Sequence, residues 1–324
     1  MTNKKNNFGR SVFICSKPLQ FFHLIAITQE FDIAKPKIYI VTKKFSGWEE
    51  FRESIINSDF YKIFLEILFL PTYDAVRSLV MKDNYDSLFI EDDRVSLYFV
   101  FVKLKSKKMI VFEEGFGTYY SDFPKRLSWI KRVKWISISL IKGCGLNFGG
   151  GKCTDHVLTQ YPLVYKKLNK LSSFKAIEFS GVYEIFSGYN SFWDELVSDD
   201  IASIYDSNPD IKVCLLLATW GGAESEELQK LCESYDIVIY KSHPHDQTFP
   251  NLDNIFNLAS NWIPAEVYII KLAQFFNKLD VFHYSSSTGL YLDKSLNNVG
   301  FIDLLEDFRF STVLREKREI YDSI

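Results

Sequence analysis

The sequence predicts an α/β protein of two doubly wound, Rossmann-like domains facing a central cleft. Three observations predict it. Short β-rich runs alternate with longer amphipathic runs from one end of the chain to the other, a rhythm that implies parallel strands with helices on both faces. At 324 residues the chain is longer than one compact α/β core and suits two. A polar, acidic stretch at 187–209 interrupts the rhythm, which then restarts. The boundary is placed there, giving domains at 1–200 and 201–324.

The elements follow in order. In the first domain, strands are expected at 12–15, 37–41, 63–70, 87–90, 109–112 and 156–159. In the second they are expected at 212–217, 236–240, 254–258, 281–284 and 299–303. Each is a short run rich in β-branched and aromatic residues. Between them, 18–31, 48–56, 73–81, 223–234 and 264–278 read as helices. No internal repeat and no low-complexity tract is present.

Composition narrows the function. The chain is 47% hydrophobic and 24% charged, as in ordinary soluble proteins. A net charge of −3 argues against a nucleic-acid binder, so any polyanion binding must be local. The five cysteines, Cys15, Cys144, Cys153, Cys214 and Cys232, are odd in number and contain no C-x-x-C pair. They read as reduced thiols in a reducing compartment. The apolar run at 12–15 stops at Ser16-Lys17-Pro18, too short for a secretory signal, and no segment reaches the roughly 18 uncharged residues of a spanning helix. The expected location is cytoplasmic.

Three short clusters fall at predicted strand ends, where doubly wound sheets bind ligands. The first is Glu113-Glu114-Gly115, directly after 109–112. Adjacent carboxylates on a glycine turn repel, and near a cleft that repulsion raises one pKa toward a general base; two solvated glutamates are the plain alternative. The second is Lys241-Ser242-His243-Pro244-His245-Asp246. Pro244 stops the strand and sets the backbone after His243, whose imidazole can serve a phosphate or leaving group. A metal site from His243, His245 and Asp246 is disfavoured, because alternate side chains after a strand diverge. The third is Ser285-Ser286-Ser287-Thr288-Gly289 ahead of a helix, either an anion site or a simple Ser/Thr cap. A base, an acid and a phosphate cradle thus occupy strand ends, the base in one half and the others in the second.

With these clusters in this order, the sequence resembles the bacterial sialyltransferases of glycosyltransferase families 52 and 38, the lipooligosaccharide sialyltransferases and capsule polysialyltransferases. Phe112-Glu113-Glu114-Gly115-Phe116-Gly117 is similar to their F-[DE]-[DE]-G-x-G element, His243-Pro244 to their HP motif, and Ser285-Ser286 or Ser286-Ser287 to their serine motif. Cys15-Ser16-Lys17-Pro18-Leu19-Gln20 is similar to their C-x-x-P-x-Q turn. The resemblance implies a GT-B fold and an inverting, metal-independent transfer of sialic acid from CMP-sialic acid to a surface glycan, with no cofactor. It implies Glu113 as general base with Glu114 in reserve, and His243 assisting departure of CMP. The implied donor-binding set is Gly115, Pro244, Glu266, Ser285, Ser286 and Ser287, with Ser286 and a neighbour on the phosphate and Glu266 on the ribose. Some family 52 members carry an early aspartate in the second domain; here Leu217-Ala218-Thr219-Trp220-Gly221-Gly222 has none before Glu224.

Other signals are set aside. Glu91-Asp92-Asp93 reads as an acidic cluster at a helix N-terminus. Gly149-Gly150-Gly151-Lys152 lacks the Walker pattern, since Leu146 and Cys153 stand at its defining positions, and reads as a flexible loop. His23 and His283 read as structural. The stretch 125–135 holds Lys125, Arg126, Lys131, Arg132, Lys134 and the tryptophans Trp129 and Trp135. It suits an anionic membrane face, an acidic glycan or a solvated basic helix. Two rival functions stay open: transfer of another CMP-nonulosonate such as pseudaminic or legionaminic acid, and a non-catalytic role in capsule assembly. The expected partners are the CMP-sugar donor, a lipid-linked glycan acceptor and, as a homo-oligomer, a second copy of the chain.

Overall fold

In the computed structural model, the described residues are 7–94, 106–119, 128–169, 175–205, 210–219, 225–244, 249–250, 255–292, 295–305 and 307–321. The chain folds as two compact units. One comprises Met1–Lys44, Ser54–Val182 and Thr312–Ile324; the other comprises Phe45–Glu53 and Tyr183–Ser311.

The first unit is built on seven parallel strands: β1 (Ser11–Cys15), β2 (Lys37–Val41), β3 (Glu66–Leu70), β4 (Ser87–Ile90), β5 (Lys108–Phe112), β6 (His156–Thr159) and β7 (Ala176–Glu178). Their order in the sheet is β3-β2-β1-β4-β5-β6-β7. All five residues of β1 are buried, as expected of a central parallel strand covered on both faces. Helix α1 (Pro18–Glu30) starts on Pro18, whose fixed φ suits a first turn. After α2 (Trp48–Ile56), helix α3 (Tyr73–Val80) is capped by Thr72, whose side chain accepts from the Ala75 N–H. Further along, α4 (Trp129–Lys142) ends on Gly143 in the left-handed conformation, and α5 (Pro162–Leu168) follows β6.

The second unit holds α6 (Tyr183–Gly188), α7 (Asn190–Tyr205), α8 (Ser225–Ser234), α9 (Ala265–Phe275) and α10 (Ser287–Leu292). Its parallel strands β8 (Val213–Leu217), β9 (Ile237–Lys241), β10 (Ile255–Asn257), β11 (Leu279–His283) and β12 (Val299–Asp303) lie in the order β10-β9-β8-β11-β12. The last helix, α11 (Phe308–Tyr321), begins in this unit and ends in the first.

In both sheets the winding reverses once, between β1 and β4 and between β8 and β11. Such reversals are where doubly wound sheets open a crevice at the carboxyl ends of their strands.

The units differ from the expected 1–200 and 201–324. The acidic stretch around residue 200, where the boundary was expected, is the exposed face of α7, whose Trp193, Val197, Ile201 and Ile204 are buried at helical spacing. Residues 45–53 join the second unit because Phe51 packs on Trp262, with ring centroids 5.2 Å apart. Strand β3 is shorter than expected because Asp59–Ile63 winds into a 3₁₀ turn. All five cysteines are free thiols.

Candidate active site

In the first unit, loops after β1, β4 and β5 converge at the winding reversal. Ser16 Oγ lies 2.8 Å from both Glu91 oxygens, and Tyr73 at the start of α3 donates its hydroxyl to the same carboxylate. Gln20 on α1 accepts from the Ser16 N–H at 2.9 Å and so fixes the turn; its own buried Nε2 has no hydrogen-bond partner among the described residues. Lys17 Nζ donates to Glu114 at 2.5 Å, and Arg94, which also pairs with Asp92 at 2.9 Å, lies 3.8 Å from Glu114. Burial, aided by the Glu114 charge, pushes the Glu91 carboxyl up to about 7.

The expected acidic pair splits. Glu113 is fully buried: its Oε2 accepts from the Tyr119 hydroxyl at 2.6 Å and from the Gln160 N–H at 2.7 Å. Its carbonyl accepts from His23 Nδ1 at 3.0 Å, and burial lowers that imidazole to about 4, leaving a neutral ring. Glu114 turns the other way, toward Lys17, with its side chain 26% exposed. The divergence is built by Gly115, whose φ of 131° and ψ of −162° suit glycine alone, and by Thr118, whose hydroxyl accepts from the Glu114 N–H at 3.0 Å. The like charge acting on a buried carboxyl is therefore that of Glu114 on Glu91.

The run Glu91-Asp92-Asp93 separates as well. The helix expected after it falls on residues 95–105, outside the described residues. Asp93 is buried and accepts from the N–H groups of Gly149 at 2.9 Å and Gly151 at 2.7 Å, and from the Thr154 hydroxyl at 2.7 Å. The glycine segment expected to be a flexible loop is thus wrapped around an internal carboxylate, with Lys175 Nζ also on the Gly151 carbonyl at 3.0 Å.

In the second unit, β9 runs into Lys241-Ser242-His243-Pro244. Lys241 is buried, donates to the carbonyls of Ser260 at 2.9 Å and Asn261 at 3.3 Å, and is lowered by burial to about 8. The Pro244 carbonyl accepts from the Ser46 N–H at 3.1 Å and from its hydroxyl, which anchors the His-Pro turn and leaves His243 half-buried. His245 and Asp246 lie outside the described residues, as do Trp220 to Glu224.

The serine segment leaves β11 at the same sheet edge. Ser285 takes a left-handed φ of 52°, and its N–H and hydroxyl reach Asp303 at 2.7 and 2.9 Å. Ser286 donates its N–H to His283 Nδ1 at 3.2 Å, so the buried His283 orients the turn. The Ser286 and Thr288 hydroxyls are 2.9 Å apart, and Thr288 donates to Glu266 at 2.9 Å. Glu266 is buried, and burial raises its pKa. Ser287, half-buried, opens α10.

The acidic turn therefore stands at the edge of one sheet, and His243, Pro244, Glu266 and Ser285 to Ser287 gather at the edge of the other. Sequence reasoning set Glu91 aside as part of an acidic helix start, gave Ser16 no role beyond its turn and missed Tyr73; the three become neighbours only once the strand order places β4 beside β1. Among the described residues, no group of three or more His, Cys, Asp or Glu side chains comes together to hold a metal.

No protein-family model matches the sequence, and no curated protein matches it. Solved structures do. The α/β-galactoside α-2,3-sialyltransferase of Photobacterium phosphoreum superposes with a TM-score of 0.55 at 14% identity, covering 98% of this chain and 96% of its own. The UDP-GlcNAc 2-epimerase of Neisseria meningitidis, bound to UDP-GlcNAc, gives 0.52 at 9% identity, covering 97% and 93%. These likenesses show the fold: α/β, GT-B-like, with two doubly wound Rossmann-like domains.

Proposed function

We propose that this chain is an inverting glycosyltransferase that moves sialic acid from CMP-sialic acid to a hydroxyl of a surface glycan. The observation that carries the reading is the division of chemistry between two winding reversals: a carboxylate-rich edge on the first sheet, a His-Pro and serine edge on the second. Glu114 is the base. It reaches the partly open edge, whereas Glu113 spends its carboxylate on Tyr119 and the Gln160 N–H and anchors the turn. As the acceptor oxygen attacks the anomeric carbon, its proton passes to Glu114 and the bond from that carbon to the CMP phosphate oxygen breaks, inverting the centre. His243 donates to the departing phosphate. Ser286 and Ser287 hold it, with Ser285 fixed by Asp303, and Glu266, reached through Thr288, faces the ribose. Gly115 and Pro244 shape the two turns. No metal or cofactor enters the chemical step.

The test is release of CMP from CMP-sialic acid by the purified chain, with galactosides as acceptors and excess EDTA present. Galactoside-dependent CMP release in EDTA supports the reading. Release only from CMP-pseudaminic or CMP-legionaminic acid moves it to another nonulosonate. Turnover of UDP-GlcNAc alone, on a fold shared with an epimerase, overturns it. No turnover of any of these donors leaves a binding role in capsule assembly.

A further inference from the structure

We propose that α4 lies flat on an anionic lipid surface. Trp129, Ile130, Val133, Leu140 and Ile141 are all exposed, from 46% for Val133 to 78% for Ile141. At 3.6 residues per turn they share about 120° of one helix face, roughly 21 Å long. From Trp135 on, the opposite side faces the protein: Ser139 is buried and bonded to the Cys144 carbonyl, and Trp135 and Ile138 are half-buried. The stretch singled out in the sequence thus works through a different set of residues, with Trp129 outward and Trp135 inward.

Charge selects the occupant. Arg132 and Lys134 flank the apolar face and Lys131 extends the basic run; all three are exposed and pair with no described residue, and the helix contains no acidic residue. Apolar side chains bordered by cations match the headgroup boundary of an anionic bilayer, with Trp129 at interfacial depth. An acidic glycan would satisfy the cations but has no hydrocarbon for Ile130, Leu140 and Ile141. A second copy would bring like charges together across a two-fold contact. No helix among the described residues is long and apolar enough to cross a membrane, so the contact is peripheral. The inference is independent of the donor and of the reaction.

The experiment is co-sedimentation of the full chain with phosphatidylglycerol or phosphatidylcholine vesicles. One variant carries Lys131, Arg132 and Lys134 changed to Gln, the other Ile130, Leu140 and Ile141 changed to Gln. All six side chains are exposed, and circular dichroism verifies folding. The wild type is expected on phosphatidylglycerol and not on phosphatidylcholine, more weakly as salt rises. At about fivefold per cation, the basic variant loses on the order of 100-fold in partitioning. The apolar variant loses at least about tenfold, including the part that salt leaves behind. Brominated lipid is expected to quench fluorescence in the wild type and less in Trp129→Phe. No binding of the wild type at low salt, wild-type binding by either variant, or unchanged quenching in Trp129→Phe overturns the proposal. So does release from vesicles by a soluble acidic polysaccharide with the apolar variant unaffected, which makes the helix a glycan face. A wild-type dimer that the apolar variant abolishes, without vesicle binding, makes it a subunit contact.

Discussion

Glu91 shows how burial and one neighbouring charge create a group that titrates near neutrality. Its folded-state pKa of about 7 lies above the value of a free glutamate. The folded protein therefore holds this proton more tightly than the unfolded chain. The associated stability is complete below the free-glutamate value and is lost as pH rises through about 7. His23 works in the opposite sense, since its folded value near 4 lies below that of a free histidine, so the prediction is a difference between two proteins. Glu91→Gln, which cannot ionise, is expected to gain on the wild type as pH rises from 5 to 8, by about 3 kcal/mol in urea unfolding. A difference that is flat with pH contradicts the assignment. The acidic turn was visible in the sequence as a pair, because two glutamates before a glycine at a strand end are conspicuous. The direction of each was not, because it depends on Gly115 and on Tyr119 and Gln160, which the fold brings in.

At the scale of elements, alternation of strands and helices was readable because buried parallel strands are continuous apolar runs such as Val213–Leu217. Strand β7 escaped notice because Ala-Ile-Glu is too short to make a run, and α7 passed for the break between domains because its acidic face hides a buried stripe. The glycine segment 149–151 is a similar case: glycine suggests mobility until its guest is known. Asp93 is that guest. Asp93→Ala leaves two backbone donors and the Thr154 hydroxyl unsatisfied in a buried place, a loss of about 3 kcal/mol or more. Asp93→Asn keeps one acceptor oxygen and is expected to lose less. Chemical denaturation checks both, and equal stability of Asp93→Ala and wild type would contradict the cradle.

For the whole molecule, the two units explain why the chain returns on itself at its end. Residues from Thr312 onward serve the first unit: Lys167 pairs with Glu316, the Leu163 N–H reaches the Tyr321 hydroxyl at 3.2 Å, and Lys317 lies 4.9 Å over the Tyr161 ring. A chain ending at Ser311 is expected to show faster amide exchange in α5 with the β8–β12 sheet unchanged; the reverse pattern would contradict the division. The order of the motifs was legible in the sequence, but which of them share a sheet edge required the strand order. The central claim is transfer with Glu114 as base, and one measurement tests it most directly: the rate of sialic acid transfer from CMP-sialic acid to a galactoside by wild type, Glu114→Gln and Glu113→Gln, each with its CMP affinity. Glu114→Gln is expected to lose on the order of 10²–10⁴ in rate with CMP binding intact. Glu113→Gln, which keeps an acceptor oxygen for Tyr119 and the Gln160 N–H, is expected to stay within about tenfold. A Glu114→Gln protein that transfers at the wild-type rate, or a folded, CMP-binding Glu113→Gln protein that does not transfer, would contradict the account.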